Sequence, residues 1–419
     1  MSLNPHRVQF RLREGQERGP YRVHLHRFLI EQLEQRGIDS LELDREVLTA
    51  HVTGLIDEYI ARETVGVNVS ERECLIEDMI NEILGYGPLE ALFHDPSVTD
   101  ILVNGPYRVV VERHGKLQDT DIRFVDSQHV MRVLQRMLAP TGRRLDESSP
   151  MVDARLSDGS RLNAIISPLA LDGPDISIRK ARREQLSTGE LLTNGAFNPD
   201  MLSFLRRAVE CRMNILVSGG TGTGKTTLLN ALGQFIEADQ RLITIEDTAE
   251  LQLDHPHVVT LETRPPNAEG QGEVSARDIV RNVLRMRPDR VVVGEVRGVE
   301  VMDLLQAMNT GHDGSMSTLH ANSPADALSR LEMLVGFTGY LGAESTLREM
   351  IASALDLLVH VSRTRDGTRR VTSIQELVEC RDGNYVLNQL FTWEASSREY
   401  RRAANGVFNR KMSQRWEHR

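Results

Sequence analysis

The segment GGTGTGKT, residues 219–226, constrains this chain more than any other feature. It matches the phosphate-loop pattern G-x-x-x-x-G-K-[ST], with an apolar stretch before it and a helix-forming stretch after it, as the pattern requires. Backbone N–H groups of such a loop attract anions at a helix N-terminus, and glycine allows close approach to phosphate. Lys225 is expected to neutralise β- and γ-phosphate oxygens, and Thr226 to offer its hydroxyl to Mg²⁺. The predicted nucleotide-binding residues are Gly219, Gly220, Thr221, Gly222, Thr223, Gly224, Lys225, Thr226 and Thr227.

The residues around this loop predict an α/β fold. From Asn214 onward, the apolar stretches NILVSGG, RLITIED, VVTLET and RVVVGEV alternate with helical segments. Strands that alternate with helices at this spacing indicate a doubly wound, mostly parallel sheet. We predict that this nucleotide-binding domain covers residues 201–395, with ATP and Mg²⁺ as its cofactors.

Two glutamates follow predicted strands of that sheet. Glu246 and Asp247 end the stretch RLITIED, and Glu295 ends RVVVGE, where Gly294 stands in place of the aspartate that many phosphate-loop ATPases use to hold magnesium. Carboxylates at the carboxyl ends of parallel strands converge on the ligand crevice. We expect Glu246 to polarise the attacking water and Glu295 to order Mg²⁺ through its water shell, with the reverse assignment open.

The segment GHDGSMSTLHANSPADALSRLEML, which starts at Gly311, is expected to be a loop between helices. His312 and His320 are eight residues apart with no cysteine or carboxylate at ligand spacing, which argues against zinc. A structural role for these histidines is as plausible as a functional one. The functional interpretation is that His320 and Thr318 sense the γ-phosphate and transmit its presence to the following helix.

Arginines occur where a phosphate site could recruit them. An arginine that acts on developing phosphoryl charge can raise the rate by about 10³- to 10⁵-fold, although any single arginine is more often in a surface salt bridge. The candidates are Arg155, Arg161 and Arg179 upstream of the phosphate loop, and Arg285, Arg287 and Arg297 around the strand RVVVGEV.

The residues upstream of the nucleotide-binding domain indicate two further folded segments. Apolar residues recur every three or four positions over residues 20–84, which predicts a helical bundle. Alternating strand patterns, one helix and turn signals over residues 85–180 predict a mixed α+β domain. Residues 181–200 are expected to be a linker, residues 1–19 a flexible basic N-terminus and residues 396–419 a basic C-terminal tail.

Composition argues against several classes of protein. No apolar run approaches the roughly 18 residues of a membrane span, no secretory signal is present, and three scattered cysteines support neither disulfides nor a zinc site, so a cytoplasmic location is expected. The net charge is −10, and the basic ends, residues 1–27 with +4 and residues 396–419 with +5, leave about −19 for the middle of the chain by subtraction. That charge argues against nucleic acid as a partner. The basic ends could contact an anionic membrane surface or be solvated mobile termini.

Several long motifs in fixed order resemble those of the type II/IV secretion ATPase superfamily, closest to the ATPases that assemble Flp or tight-adherence pili. In the motor domain these are GGTGTGKTTLLNAL, ITIEDTAELQL, RPDRVVVGEVRG and GHDGSMSTLHANSPADALSRLEML. Upstream they are GYGPLEALFHDPSVTDILVNGP, VERHGKL and GSRLNAIISPLALDGPDISIRK. The resemblance covers roughly residues 70–365, and the tetracysteine zinc element of many type II pilus motors is missing from this sequence.

The resemblance implies a RecA-like motor domain preceded by a PAS-like domain and the helical bundle. It also implies a homo-hexameric ring with ATP between the two domains, docked on an inner-membrane platform protein at the cytoplasmic face of the bacterial inner membrane. By this resemblance Glu246 and Asp247 form the acidic box, Gly294 and Glu295 an atypical Walker B motif, and His312 and His320 the histidine box. It favours Arg155, Arg161 and Arg179 as arginine fingers.

Two other functions stay open at this point. A nucleotide-switched scaffold with little turnover is possible because Gly294 removes the usual carboxylate. A nucleic-acid translocase could share the same core, although the acidic middle of the chain and the 5% content of aromatic residues disfavour it.

Overall fold

The computed structural model describes residues 45–63, 68–113, 115–181, 186–266 and 271–403, together with residues 25, 28, 29, 31–33, 35, 36 and 412. The predicted flexible N-terminus, part of the first helix of the predicted bundle, four residues of the predicted linker and most of the predicted basic tail lie outside these described residues. The chain divides into two compact units, residues 1–182 and 183–419, and each is described by itself. Within the described residues, no helix combines the length and the apolar character that crossing a membrane requires.

Among the described residues of the first unit, helical positions between 25 and 35 precede the helices α1 (Arg45–Arg62) and α2 (Val69–Leu84). Asn68 caps α2 by accepting a hydrogen bond from the Glu71 N–H, while the Glu71 side chain accepts one from the Asn68 N–H. This reciprocal pair satisfies two backbone donors that a helix start leaves without partners. The helices bury one apolar cluster, which includes Leu48, Leu55 and Ile83.

A six-stranded antiparallel sheet forms the rest of the first unit. Its elements are β1 (Val98–Asn104), β2 (Val109–Arg113), β3 (Lys116–Asp119), β4 (Met151–Arg155), β5 (Arg161–Ile165) and β6 (Asp175–Arg179), with helices α3 (Glu90–His94) and α4 (Ser127–Leu138). The strand order is β3-β2-β1-β6-β5-β4. Alternate residues of the strands, such as Ile101, Leu162 and Ile178, share a core with the apolar side of α4, and the intervening residues lie on the opposite face.

A nine-stranded sheet organises the second unit. Its strands are β7 (Ile215–Gly219), β8 (Leu242–Glu246), β9 (Val258–Glu262), β10 (Arg290–Val293), β11 (Met316–His320), β12 (Leu357–Arg363), β13 (Arg369–Arg381), β14 (Asn384–Glu394) and β15 (Glu399–Arg402). The order is β15-β14-β13-β12-β7-β11-β10-β8-β9. The six strands from β12 to β9 pair in parallel, and β13, β14 and β15 add antiparallel pairs. The prediction of an α/β fold with a mostly parallel sheet is confirmed.

Helices cover both faces of this sheet. They are α5 (Thr188–Thr193), α6 (Pro199–Glu210), α7 (Lys225–Gly233), α8 (Ala276–Val283), α9 (Glu300–Asn309), α10 (Pro324–Gly336) and α11 (Glu344–Ala354). Ile215 and Val217 of β7 belong to the core with α6 and α7, whereas Leu216 belongs to the core with α8, α9, α10 and α11. Burial on both faces explains why the central strands read as unbroken apolar runs.

The parallel strands define two edges of this sheet. The carboxyl edge is where β7, β8, β10 and β11 end, at Gly219, Glu246, Val293 and His320. The amino edge is where the same strands begin. Because β11 pairs with both β7 and β10, the residues that follow these three strands come together at the carboxyl edge.

Candidate functional site

The phosphate loop joins β7 to α7 at the carboxyl edge. A Cβ on Gly219 would lie 2.3 Å from the Val361 carbonyl oxygen, so the loop can leave the sheet this closely only with glycine at that position. Gly224 has φ of +99°, a left-handed conformation that glycine adopts readily, and α7 begins at the next residue. Thr223 Oγ1 donates a hydrogen bond to the Gly220 carbonyl oxygen at 2.9 Å, which closes the turn.

Lys225 lies across this loop. Its Nζ donates to the Gly220 carbonyl oxygen at 2.9 Å and lies 3.4 Å from both ring nitrogens of His320. The side chain is almost fully buried, and burial lowers the pKa of its ammonium group, with Glu295 opposing that shift. A buried cation at a helix N-terminus gains stability from an anionic ligand, which is what a phosphate supplies.

Glu295 is the centre of a set of charged side chains, here called the charged cluster: Lys225, Asp247, Glu295, Arg297 and His320. One carboxylate oxygen of Glu295 lies 2.8 Å from His320 Nε2, and the other accepts a hydrogen bond from Arg297 Nη2 at 2.5 Å. Arg297 Nη1 also lies 3.4 Å from a carboxylate oxygen of Asp247. The hydrogen bond to Glu295 raises the pKa of the Arg297 guanidinium, whereas burial lowers the pKa of His320 against the opposing effect of Glu295.

Glu246 occupies the space that a side chain at position 294 would need. A Cβ on Gly294 would lie 2.6 Å from Glu246 Cγ and 2.8 Å from its Oε1. The Glu246 carboxylate accepts hydrogen bonds from the backbone N–H groups of Glu250 and Leu251, at 3.1 and 3.2 Å, and is 6% exposed. The glycine in the strand RVVVGEV therefore makes room for a carboxylate from the neighbouring strand β8.

The segment that contains the two histidines differs from the sequence prediction. The expectation of a loop between helices is wrong, because residues 316–320 form β11 in the centre of the sheet. His320 ends this strand at the carboxyl edge, and His312 precedes it at the amino edge. Thr318 is buried, and its hydroxyl donates to the Gly294 carbonyl oxygen at 2.6 Å, so it links β11 to the chain after β10. The structure brings His320, but not His312, to the phosphate loop.

The candidate arginines of the first unit form a row. In the register of the sheet, Arg155 lies opposite Arg161, and Arg161 lies opposite Arg179. Arg179 in turn lies opposite Asp100 and pairs with it at 3.1 Å. Like charges directly opposite one another on adjacent strands are destabilising, so this row is not what sheet stability alone would select.

The arginines of the motor domain separate into two groups. Arg285 and Arg287 precede β10, on the side of the amino edge, and are exposed. Arg297 follows β10 and belongs to the charged cluster. Of these three candidates, the structure places one beside the phosphate loop.

The sequence of the chain matches the profile of the family described as type II/IV secretion system protein over residues 82–402. The chain belongs to this family. A Mycobacterium tuberculosis protein named for conjugal transfer is 43% identical over 304 residues, which are 71% of this chain and 85% of the relative. The VirB11 protein of the Brucella suis type IV secretion system is 32% identical over 311 residues, which are 68% of this chain and 86% of that protein.

One solved structure of a related protein also matches part of this chain. The crystal structure of the VirB11 ATPase of Brucella suis, in complex with sulphate, covers 69% of this chain and 95% of its own, with 30% identity and a TM-score of 0.39. The resemblance to the type II/IV secretion superfamily is confirmed by the family match. The two relatives described above are named for conjugal transfer and type IV secretion, and neither name specifies an Flp or tight-adherence pilus system.

One residue that lies near the phosphate loop was not identified from the sequence of this chain. His360 of β12 is buried, and its Nδ1 lies 2.9 Å from the hydroxyl of Ser218, the residue before Gly219. Burial is the main cause that lowers the pKa of His360. A histidine inside the apolar run LDLLVHV was the available signal, but only the register of β12 against β7 shows what it contacts.

Proposed function

We propose that this chain is a Mg²⁺-dependent ATP hydrolase that acts as the motor of a type IV pilus or secretion machine. The observation that carries the proposal is the arrangement at the carboxyl edge: the phosphate-loop lysine, Lys225, lies beside His320, which pairs with Glu295. A glycine-rich turn with only a structural role does not require its lysine to be buried beside His320 and Glu295. Glu246 and Glu295 supply acidic groups at the ends of the two strands where a nucleotide would present its γ-phosphate.

The residues divide the work as follows. The amide groups of residues 219–227 and the Lys225 ammonium bind the phosphates. The Thr226 hydroxyl and the Glu295 carboxylate are hard oxygen donors of the type that Mg²⁺ prefers, and the ion neutralises phosphate charge when it is bound. Two backbone N–H groups hold the Glu246 carboxylate in place, which suits a group that must orient and polarise an attacking water.

His320 is proposed as the sensor of the γ-phosphate. It contacts both Lys225 and Glu295, the two residues that would respond most to the arrival or loss of a phosphate group. Ser323 caps α10 a few residues after β11, so a shift of His320 has a short covalent path to that helix.

Arg155, Arg161 and Arg179 are proposed as candidate arginine fingers. The support is the row of like charges across three strands and the position of the row in the unit that precedes the motor. Replacement of the finger should lower kcat by about 10³-fold or more with little change in ATP affinity. Single replacements with alanine, compared in steady-state hydrolysis, identify which of the three arginines acts.

The assembly proposed for the chain follows its family. We propose a homo-hexamer that docks on an inner-membrane platform at the cytoplasmic face of the bacterial inner membrane, within the Flp or tight-adherence branch. The basic ends of the chain, residues 1–27 and 396–419, would favour an anionic membrane surface. The division into a bundle at 20–84, a PAS-like domain at 85–180, a linker at 181–200 and a RecA-like domain at 201–395 belongs to the same proposal. The strand order β2-β1-β6-β5-β4 of the antiparallel sheet supports the assignment of residues 85–180 as a PAS-like domain.

The test is steady-state ATP hydrolysis with mass photometry for the wild type, Lys225→Ala, Glu246→Gln and Glu295→Gln. We expect Lys225→Ala to lose ATP binding. Glu246→Gln should bind ATP and lose turnover by about 10²- to 10⁴-fold, and Glu295→Gln should mainly raise the magnesium requirement. If the two glutamine variants exchange these behaviours, the roles of the two glutamates are reversed.

Other outcomes separate the alternative functions. If the wild type binds ATP without turnover, even with membranes and a platform protein present, the scaffold function replaces the motor. Hydrolysis that depends on added DNA would instead support a translocase.

A further inference from the structure

A basic hairpin lies beside the phosphate loop. The segment RTRDGTRR, residues 363–370, connects β12 to β13 and carries four arginines against one aspartate. Strand β12 pairs in parallel with β7, and Val361 lies opposite Gly219 in that register. Two residues after Val361 the hairpin begins, so it leaves the sheet next to the start of the phosphate loop.

Part of the hairpin has a structural role. Asp366 accepts hydrogen bonds from the Thr364 hydroxyl and the Thr368 N–H, and the first of these is the main cause that lowers the pKa of its carboxyl group. Arg370 donates to the Gly195 carbonyl oxygen at 2.6 Å, and its guanidinium lies 4.3 Å from the centre of the Trp393 ring. These contacts fix the turn and explain two of its charged residues.

Arg369 lies against the phosphate loop. A Cβ built on Gly224 would be 3.7 Å from Arg369 Cδ, which is van der Waals distance. Gly224 is the residue immediately before Lys225, and its backbone starts α7. Arg369 also lies opposite Arg363 in the register of β12 and β13, a pairing of like charges that sheet stability disfavours.

The strands on either side of β7, β11 and β12, lead to different groups, and this difference indicates which way a bound nucleotide points. On one side, β11 places His320 opposite Gly219, and Glu295 and Glu246 follow on the strands beyond it. On the other side, β12 places Val361 opposite Gly219 and leads to the hairpin. Hydrolysis requires the γ-phosphate to face the carboxylates, so the α-phosphate and the nucleoside must extend away from them.

We propose that Arg369 binds the α-phosphate end of the nucleotide, in the same chain as the phosphate loop. This inference rests on the proposed function as a nucleotide hydrolase and adds a residue that nothing in the phosphate-loop pattern indicates. Arginine suits the position because its guanidinium presents a planar set of donors to phosphate oxygens. Since ATP and ADP share the α-phosphate, Arg369 contributes equally to the binding of both.

The expected signature is a loss of binding without a loss of chemistry. A contact that is the same in the ground state and the transition state raises KM and leaves kcat unchanged when it is removed. Loss of a charge-assisted hydrogen bond corresponds to about a 10- to 100-fold weaker Kd. An arginine finger has the opposite signature, a lower kcat with an almost unchanged Kd.

The experiment measures Kd for ATP and for ADP by calorimetry, and kcat and KM for hydrolysis, in the full chain. The variants are Arg369→Gln, which keeps the Cβ and Cγ methylene groups and removes the charge, Arg369→Lys, and Arg365→Ala as the control from the exposed tip of the same hairpin. We expect Arg369→Gln to weaken both Kd values by the same factor, Arg369→Lys to restore part of the loss, and Arg365→Ala to leave both values within about twofold of the wild type.

Three results would overturn the inference. An equal loss in Arg365→Ala would mean that the hairpin acts only through its net charge. A fall in kcat with unchanged Kd in Arg369→Gln would place Arg369 in the chemistry, and weaker ATP binding with unchanged ADP binding would place it at the γ-phosphate. Lys225→Ala keeps the two proposals distinguishable: if it abolishes binding while Arg369→Gln does not weaken it, the nucleotide site stands and this inference fails.

Discussion

Both edges of the nine-stranded sheet are rich in polar side chains, but the hydrogen-bond partners of these side chains differ between the two edges. At the amino edge, Asn214 Oδ1 accepts hydrogen bonds from the N–H groups of Gly314 and Ser315, and its Nδ2 donates to the Ala354 carbonyl oxygen at 2.7 Å. Asp356 accepts a bond from the Asn214 N–H at 2.9 Å. These partners are backbone groups of the same unit, and Asn214 and Asp356 are buried.

At the carboxyl edge, the charged side chains of one group pair with one another, although the buried Glu246 accepts hydrogen bonds from backbone N–H groups as the amino-edge residues do. Glu295 contacts His320 and Arg297, and the side chains of these three residues are 19%, 30% and 54% exposed. Hydrogen bonds between side chains are a small minority in folded proteins, and a partly exposed group of them can exchange partners when a ligand arrives. The comparison teaches that polarity alone does not mark a functional site, and that a group of charged side chains that pair with one another and reach solvent is a better indicator.

Gly294→Ala should give the largest effect on kcat, because it displaces a side chain at the carboxyl edge by steric overlap and leaves every charge unchanged. The new Cβ would lie 2.6 Å from Glu246 Cγ and displace its carboxylate. A displacement of about 1 Å in a catalytic group can cost about 100-fold, so we expect kcat to fall by about that factor or more, with ATP affinity within a few-fold of wild type. Stopped assays of phosphate release and ATP binding measure the two quantities.

Gly336→Ala is the matched control, since a Cβ at Gly336 in α10 meets nothing within 4 Å. It should hydrolyse ATP at the wild-type rate. Full activity in Gly294→Ala would show that the position of the Glu246 carboxylate is unimportant, and would remove it from the proposed mechanism.

Asn214→Ala should break the amino edge instead. The N–H groups of Gly314 and Ser315 and the Ala354 carbonyl oxygen lose a buried partner. A buried group left without a partner costs about 1–3 kcal/mol, so we expect a loss of about 2 kcal/mol in the free energy of unfolding. Trp393 lies in β14 of this sheet, so its fluorescence in urea reports on the sheet.

The control for the amino edge is Asn384→Ala, because Asn384 is exposed and makes a local bond to the Asp382 carbonyl oxygen. This variant should stay within about 0.5 kcal/mol of the wild type. If Asn214→Ala unfolds at the wild-type urea concentration, its buried hydrogen bonds add nothing that solvent does not replace, and the contrast between the two edges fails.

Short-range patterns in the sequence were sufficient for one part of the site. The phosphate loop, the strands that lead to Glu246 and Glu295, and the α/β fold all follow from contiguous stretches of apolar residues and glycine. These features depend on residues that are close in sequence, so the periodicity of side chains in helices and strands is enough to predict them.

Other parts of the site depend on register, which the sequence does not display. The steric exclusion between Gly294 and Glu246 exists because β8 and β10 are paired strands. Strand β11 was mistaken for a loop because its residues, MSTLH, include three polar side chains and give no apolar run. The arginine row across β4, β5 and β6 likewise follows from antiparallel pairing between segments distant in sequence.

The two histidines of the family motif allow a direct test of the two edges. His320→Ala removes the group between Lys225 and Glu295, and we expect kcat to fall about tenfold, the size of one charge-assisted hydrogen bond. His312→Ala lies on the amino-edge side and should hydrolyse ATP at the wild-type rate. Equal losses of kcat in both variants would show that the two histidines act together in spite of their separation along β11.

Replacement of His360 should give the smallest effect. It tests whether a residue at the carboxyl edge can contribute to stability alone, as the buried residues of the amino edge do. Burial lowers its pKa in the folded protein below the ordinary value of about 6.5, so the unfolded chain binds a proton more readily than the folded one. Its contribution to stability is therefore present above about pH 6.5 and is lost as the pH falls toward the folded pKa. The charge of Asp326 and a hydrogen bond with the backbone of Asn322 oppose the shift, and Lys225 adds to it.

Urea unfolding followed by tryptophan fluorescence at pH 7.5 and at pH 5.5 measures this effect. The wild type should lose more unfolding free energy over that interval than His360→Gln, which keeps a polar group near the Ser218 hydroxyl without a proton to gain. The same pH dependence in both proteins would mean that His360 does not titrate differently in the folded and unfolded states. A large fall in kcat for His360→Gln at pH 7.5 would instead place His360 with the functional residues, because it would show that the contact with Ser218 controls the phosphate loop.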